Sequence, residues 1–115
     1  MNDCLFCKII NKEIPSEIVY EDEHVIAFKD INPVAPVHIL VIPKEHIVNV
    51  NEITKENSIV IAKIFTVIAD LAEKNNIAKD GYRVITNTGE FGGQVINHLH
   101  FHLIGGKKLG PKIVE

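Results

Sequence analysis

Apolar and polar positions change period several times along this chain, and each change predicts an element. Residues 17 to 31 alternate in the two-residue period of a strand, giving Ile18-Val19-Tyr20 and Val25-Ile26-Ala27-Phe28 around the acidic turn Glu21-Asp22-Glu23-His24, which reads as a hairpin. Beyond Pro33 and Pro36 comes His38-Ile39-Leu40-Val41-Ile42, a nearly continuous β-branched run ended by Pro43, as a buried central strand requires. From Thr54 to about Asn75 the residues Ile59, Ile61, Ala62, Ile64, Phe65, Ile68, Ala69, Leu71 and Ala72 recur at helical spacings, with Thr54 as N-cap candidate and Asn57 in the first turn. Tyr82 to Thr86 alternates again, Asn87 to Gly93 is a glycine-containing loop, and His98 to Ile104 alternates until Gly105-Gly106. Hairpin-joined strands with one segregated helix predict an α+β domain built on an antiparallel sheet.

At 115 residues, 46% of them hydrophobic, the chain has material for one core and is read as a single domain, 1–115. Twelve basic against fifteen acidic residues give a formal charge of -3, with no basic run longer than Lys107-Lys108. That balance argues against a duplex nucleic-acid binder. No uninterrupted apolar run approaches the ~18 residues of a membrane span, and no leader pattern opens the chain, so no membrane partner and a cytoplasmic location are expected. The two cysteines, Cys4 and Cys7, have a metal-site or redox spacing, which suits a reducing compartment better than a disulfide framework does.

The chemistry concentrates in His98-Leu99-His100-Phe101-His102-Leu103-Ile104. On a strand the three histidines share one face, about 7 Å apart per step, while Leu99, Phe101 and Leu103 take the other. Packing has no need of three titrating groups in a row, so a function is expected of them. A neutral imidazole attacks phosphorus, and its cationic adduct leaves readily in the next step. His100, flanked on both sides, is the expected nucleophile, with its neighbours donating to the phosphate oxygens. Upstream, Asn87 to Gln94 offers a loop whose backbone could approach a phosphate, although such a loop is often only a turn.

Gly92-Gly93-Gln94 followed by His98 to Gly106 resembles the signature of the histidine-triad family, specifically its nucleoside-phosphoramidate hydrolase branch. Phe6 to Pro15, Asp30-Ile31 and Ala35 to Ile47 resemble the same branch in the same order. The resemblance implies a five-stranded antiparallel sheet with one long helix and a short N-terminal helix, pairing into a homodimer. It implies a purine nucleotide substrate, His100 as the residue that becomes nucleotidylated, His102 at the phosphate and leaving group, and His38 completing the site. It further assigns Asn87 to the phosphate side, the backbone of Gly93, Gln94 and Val95 to the phosphate oxygens, and Asp30 to the ribose hydroxyls. Phe6, Ile9, Phe28 and Ile31 would line an apolar slot for the base. Val95 departs from the pattern, because related members carry a serine there that relays a proton, and valine cannot. No aromatic residue follows Gly106, another departure.

For Cys4 and Cys7 the resemblance supplies two partners, His46 and His98, and hence a closed Cys2His2 set for structural zinc. Reduced, metal-free thiols are the alternative. Three rivals to phosphoramidate hydrolysis stand: a dinucleoside polyphosphate hydrolase, a nucleotidyltransferase, whose usual triad replaces the last histidine with glutamine, and a nucleotide-binding protein without essential catalysis.

Overall fold

A computed structural model describes residues 4–114. The short helix α1 (Leu5–Ile10) starts where the Cys4 sulfur accepts the Cys7 amide at 3.3 Å. Five strands follow the sequence reading: β1 (Ile18–Glu21), β2 (Val25–Lys29), β3 (Val37–Pro43), β4 (Tyr82–Ile85) and β5 (Phe101–Gly105). They form one antiparallel sheet in the order β1-β2-β3-β5-β4, so the apolar run at 38–42 is indeed its centre.

The long helix α2 (Ser58–Lys74) is shorter at its start than the periodicity suggested. Asn57, rather than Thr54, occupies the cap position, and the two bond reciprocally: the Thr54 amide donates to Asn57 Oδ1 at 2.7 Å and the Asn57 amide to Thr54 Oγ1 at 3.3 Å. This reciprocal pair has the bonding pattern of a capping box, so the Thr54 hydroxyl still satisfies an amide at the entry to the helix although the regular helix begins at Ser58.

Alternation along the strands gives each sheet face its own cover. Val25, Ala27, Ile39, Val41, Leu99, Phe101 and Leu103 pack with α2 through Val60, Ile64, Val67, Ile68, Leu71 and Ala72. Ile26, Phe28, Leu40 and Ile42 turn the other way and pack with Phe6 and Ile9 of α1. At roughly 25 cal/mol per Å² of buried apolar area these two layers dominate the stability. They also leave β5 with its aliphatic residues under α2 and its histidine side towards α1.

The face of α2 that reaches the core is not the whole apolar pattern. Ile59, Ala62, Phe65 and Ala69 are exposed, at spacings of three or four that place them together on a second stripe, while Val60 and Val67 join the buried one. Periodicity alone merged two apolar faces into one. Among the described residues, no helix is long and apolar enough to cross a membrane.

Candidate active site and metal cluster

Just before β5 the backbone bends at 96–98 and stays outside the ladder through His100, so the predicted strand His98 to Ile104 is regular only from Phe101. The three histidines still lie on the α1 side, as expected, and yet they divide into two groups. His98 is fully buried, and its ring approaches His46 at 4.9 Å between centroids. His100 and His102 stand 5.2 Å apart, centroid to centroid, and both face a cavity of about 510 Å³. His98 therefore has no route to a phosphate in that cavity, which corrects the expectation that both neighbours of His100 would donate to it.

Hydrogen bonds to groups that can only accept or only donate fix the tautomer of each ring. His100 Nδ1 lies 2.7 Å from the His98 carbonyl oxygen, so Nδ1 carries the proton and Nε2 keeps its lone pair. His98 Nε2 lies 2.9 Å from the Pro43 carbonyl, so Nε2 is protonated and the free Nδ1 faces the cysteines. The Val34 amide donates to His38 Nδ1 at 3.1 Å, which puts the His38 proton on Nε2. That proton points at His102 Nδ1, 2.9 Å away, with the Asp30 carboxylate more distant at 3.3 Å. His102 Nδ1 is consequently an acceptor, and its own proton sits on Nε2. Burial, with His100 and His38 nearby, pushes the His102 imidazole down to about 4, so the ring is neutral at physiological pH.

Each expected pocket residue has a definite place. Phe6, Ile9 and Phe28 form the apolar wall, with Asp30, Asn87, Gly93 and Val95 around the polar end. Ile31 also lines the cavity, but at the rim and almost fully exposed. Asp30 serves as a turn residue too, its Oδ1 accepting the Asn32 amide at 2.8 Å. His38 is buried behind His102 and does not line the cavity.

The glycine loop is a braced turn. Gly92 has no room for a Cβ against the Thr88 carbonyl, and Gly93 adopts a φ of 83° that favours glycine. Asn87 Nδ2 donates across the loop to the Gly92 carbonyl at 2.7 Å. The Gly93 and Gln94 amides are already engaged, each at 3.0 Å, by the carbonyls of Glu90 and Gly89. Gln94 spans inward, donating to the carbonyls of Val48 at 2.7 Å and Ile96 at 3.0 Å. In this conformation those two amides hold the turn instead of pointing at a ligand.

Sequence reasoning missed Leu5, Ile14, Leu40 and Ile96 as cavity residues. Leu40 was accessible to it, being two residues from His38 on the same strand face. The Val34 amide that sets the relay carries no side-chain signal at all.

Cys4, Cys7, His46 and His98 converge, with their ligand atoms all within 4.8 Å of one another. Sulfur at about 2.3 Å and nitrogen at about 2.0–2.1 Å from a tetrahedral zinc stand roughly 3.5 Å apart. The sulfur–nitrogen distances are 3.2 Å for Cys7–His46, 3.4 Å for Cys4–His98 and 3.6 Å for Cys7–His98. The donor set fits a closed tetrahedral metal site. Burial and the adjacent Cys4 push the Cys7 thiol up to about 11, a penalty that a divalent cation reverses by stabilising the thiolates.

Asp30, His38 and His102 also bring three donor atoms within 4.8 Å. There the chemistry does not fit a metal: the Val34 amide aimed at His38 Nδ1 requires the proton to stay on Nε2, where a metal would have to bind.

A five-stranded antiparallel sheet carries paired imidazoles beside this cavity, and the HIT domain family model matches residues 11–109, so the chain belongs to that family. Among its relatives is the purine nucleoside phosphoramidase of Escherichia coli K12, 50% identical over 113 residues, covering 98% of this chain and 95% of that one. A HIT family hydrolase from Clostridium thermocellum superposes with a TM-score of 0.96 at 55% identity, over 99% of both chains. A histidine triad protein from Clostridium difficile gives 0.94 at 47% identity, over 97% of both.

Proposed function

We propose that this chain hydrolyses purine nucleoside phosphoramidates at the α-phosphate through a nucleotidyl-histidine intermediate. The observation that carries the reading is the 2.7 Å contact of His100 Nδ1 with the His98 carbonyl, because in the neutral ring it places the lone pair on Nε2, the nucleophilic atom beside the cavity. The similarity to the E. coli phosphoramidase supports the choice of a P–N bond.

His100 Nε2 attacks phosphorus, the P–N bond breaks, and the amine leaves with a proton. His102, neutral with its proton on Nε2, donates a hydrogen bond to a non-bridging oxygen and stabilises the added charge. A neutral imidazole is too weak an acid to protonate the amine. Val95 is 88% exposed at the cavity mouth and cannot relay a proton, so water at that mouth supplies it. The hydroxide left by that water then attacks phosphorus, breaking the bond to Nε2, returning the electron pair to His100 and releasing the nucleoside monophosphate. Asp30, an acceptor of paired donors, takes the ribose hydroxyls, Phe6, Ile9 and Phe28 hold the base with Ile31 over its rim, and Asn87 with the Gly93 to Val95 segment borders the phosphate.

Zinc in the Cys4, Cys7, His46 and His98 set anchors α1, which carries part of the base wall, against the histidine segment. The exposed stripe of Ile59, Ala62, Phe65 and Ala69 is the face through which two copies pair, because it aligns Ile59 and Phe65, 63% and 48% exposed, along one side of α2 where a second copy would bury them.

The experiment is to mix the protein with an adenosine phosphoramidate, quench early and map the modified residue by mass spectrometry. An adenylyl group on His100 is expected, and its loss in His100→Ala with nucleotide binding retained. Turnover unchanged in that variant removes His100 from the mechanism. Faster turnover of a diadenosine polyphosphate than of the phosphoramidate transfers the assignment to the P–O–P hydrolases.

A further inference from the structure

We propose that the metal cluster does more than staple the N-terminus: it sets the tautomer and orientation of His100 through the peptide between His98 and Leu99. The inference rests on His100 being the nucleophile. His98 contributes two separate groups, its Nδ1 to the cluster and its carbonyl to His100 Nδ1, so a single residue belongs to both sites.

The peptide that follows His98 is held at both ends. Its carbonyl accepts from His100 Nδ1 at 2.7 Å, and its N–H, that of Leu99, donates to the Ile47 carbonyl at 2.6 Å. A peptide unit is planar and rigid, so fixing the direction of the N–H fixes that of the carbonyl opposite it. Ile47 is the residue after His46, which is itself a ligand of the cluster. A metal bound by His46 and His98 thus closes a loop around this one peptide, tying together the two segments that clamp it. Hydrogen bonds in series also polarise one another, so the Leu99 donor strengthens the His98 acceptor.

Other contacts hold His98 less completely. Its Nε2 donates to the Pro43 carbonyl at 2.9 Å, which restrains the ring but leaves the peptide free to turn. Thr86 Oγ1 donates to the His100 carbonyl at 2.8 Å, which restrains the His100 backbone but not its ring. Without the metal, His46 and His98 are joined through the sulfur contacts, the edge-on contact of their rings at 4.9 Å between centroids and the Ile47–Leu99 bond, and no bond fixes the two ring nitrogens to a common centre. His102 takes its tautomer from an independent source, the Val34–His38 relay. The two imidazoles therefore respond differently to loss of metal.

That difference is the test. Protein labelled with nitrogen-15 histidine, loaded with zinc, is compared by long-range proton–nitrogen NMR with the same protein stripped by a chelator and with Cys4→Ser/Cys7→Ser. His100 is expected to change from a single Nδ1–H form to a mixture, while His102 keeps its Nε2–H form. Single-turnover nucleotidylation should fall about two- to tenfold, the scale of one hydrogen bond, and recover when zinc is returned to the stripped protein. If the double variant does not fold, His46→Gln removes one ligand from the other side of the cluster and should give the same selective change. The proposal is overturned if His100 keeps its pattern in stripped protein, if both rings change together, or if the purified chain takes up no zinc. A chain that never forms a nucleotidyl adduct refutes the hydrolase reading by itself, and the NMR comparison still decides the coupling.

Discussion

Replacing His38 by phenylalanine separates two roles that the strand alone does not distinguish. If His38 acts through His102, the main loss in the variant is the donor that holds His102 Nδ1 as an acceptor, a contact of 2.9 Å, with the longer 3.3 Å approach to the Asp30 carboxylate lost beside it. The Val34 amide released at the same time lies at a largely exposed residue and finds water. A hydrogen bond of this kind is worth about 0.5–1.5 kcal/mol net, so the His102 ring becomes free to adopt its other tautomer and the rate falls roughly two- to tenfold. Removing His102 itself, as His102→Ala, takes the oxygen donor away entirely and costs on the order of 100- to 1,000-fold, the usual scale for one such donor. Pre-steady-state measurement of nucleotidylation in the two variants gives both numbers. A His38→Phe loss as large as that of His102→Ala would mean that His38 touches the substrate directly, and a loss below about twofold would leave the relay without a role.

Protein purified without chelator should carry about one zinc per chain by elemental analysis, with metal uptake weakening in acid because the thiols must release their protons; a stoichiometry near zero would remove the metal from the account. Folding stability should decline as pH falls from about 6.5 towards 4, because His102 binds a proton in the unfolded chain before it does in the folded one, so its contribution is complete above the unfolded value and gone below the folded one. Glu21, held below the usual carboxylate range by Lys12 and Lys44 at 2.6 and 2.8 Å, acts in the same direction at lower pH. Chemical denaturation across that range checks the sign, and a flat profile would contradict the neutral, half-buried state of His102. Phe65→Glu should convert a dimer to a monomer in sedimentation experiments while leaving the fold intact, since Phe65 is half-exposed on the outer stripe of α2 and touches Phe101 only by its edge; an unchanged assembly would assign pairing to another face.

The sequence by itself determined the sheet, its central strand and the long helix, because burial on one or both faces imposes periods of two or 3.6 that side chains must obey. It also determined that three histidines would share a side of one segment, and it carried enough motif to suggest every donor in the metal cluster. What it did not determine is how those histidines divide. His98 and His100 have the same residue type and the same local pattern, and they part company only because residues 4–7 and 46 arrive beside one of them and a cavity opens beside the other. The Val34 amide that fixes His38 and His102, and the carbonyls of His98 and Pro43 that fix their neighbours, are backbone groups present at nearly every position. Their selection is a matter of distance and direction in space, which packing of the whole sheet sets. The second apolar stripe of α2 followed the same rule: its residues share the helical spacing of the buried ones, and only the geometry showed which the sheet could reach.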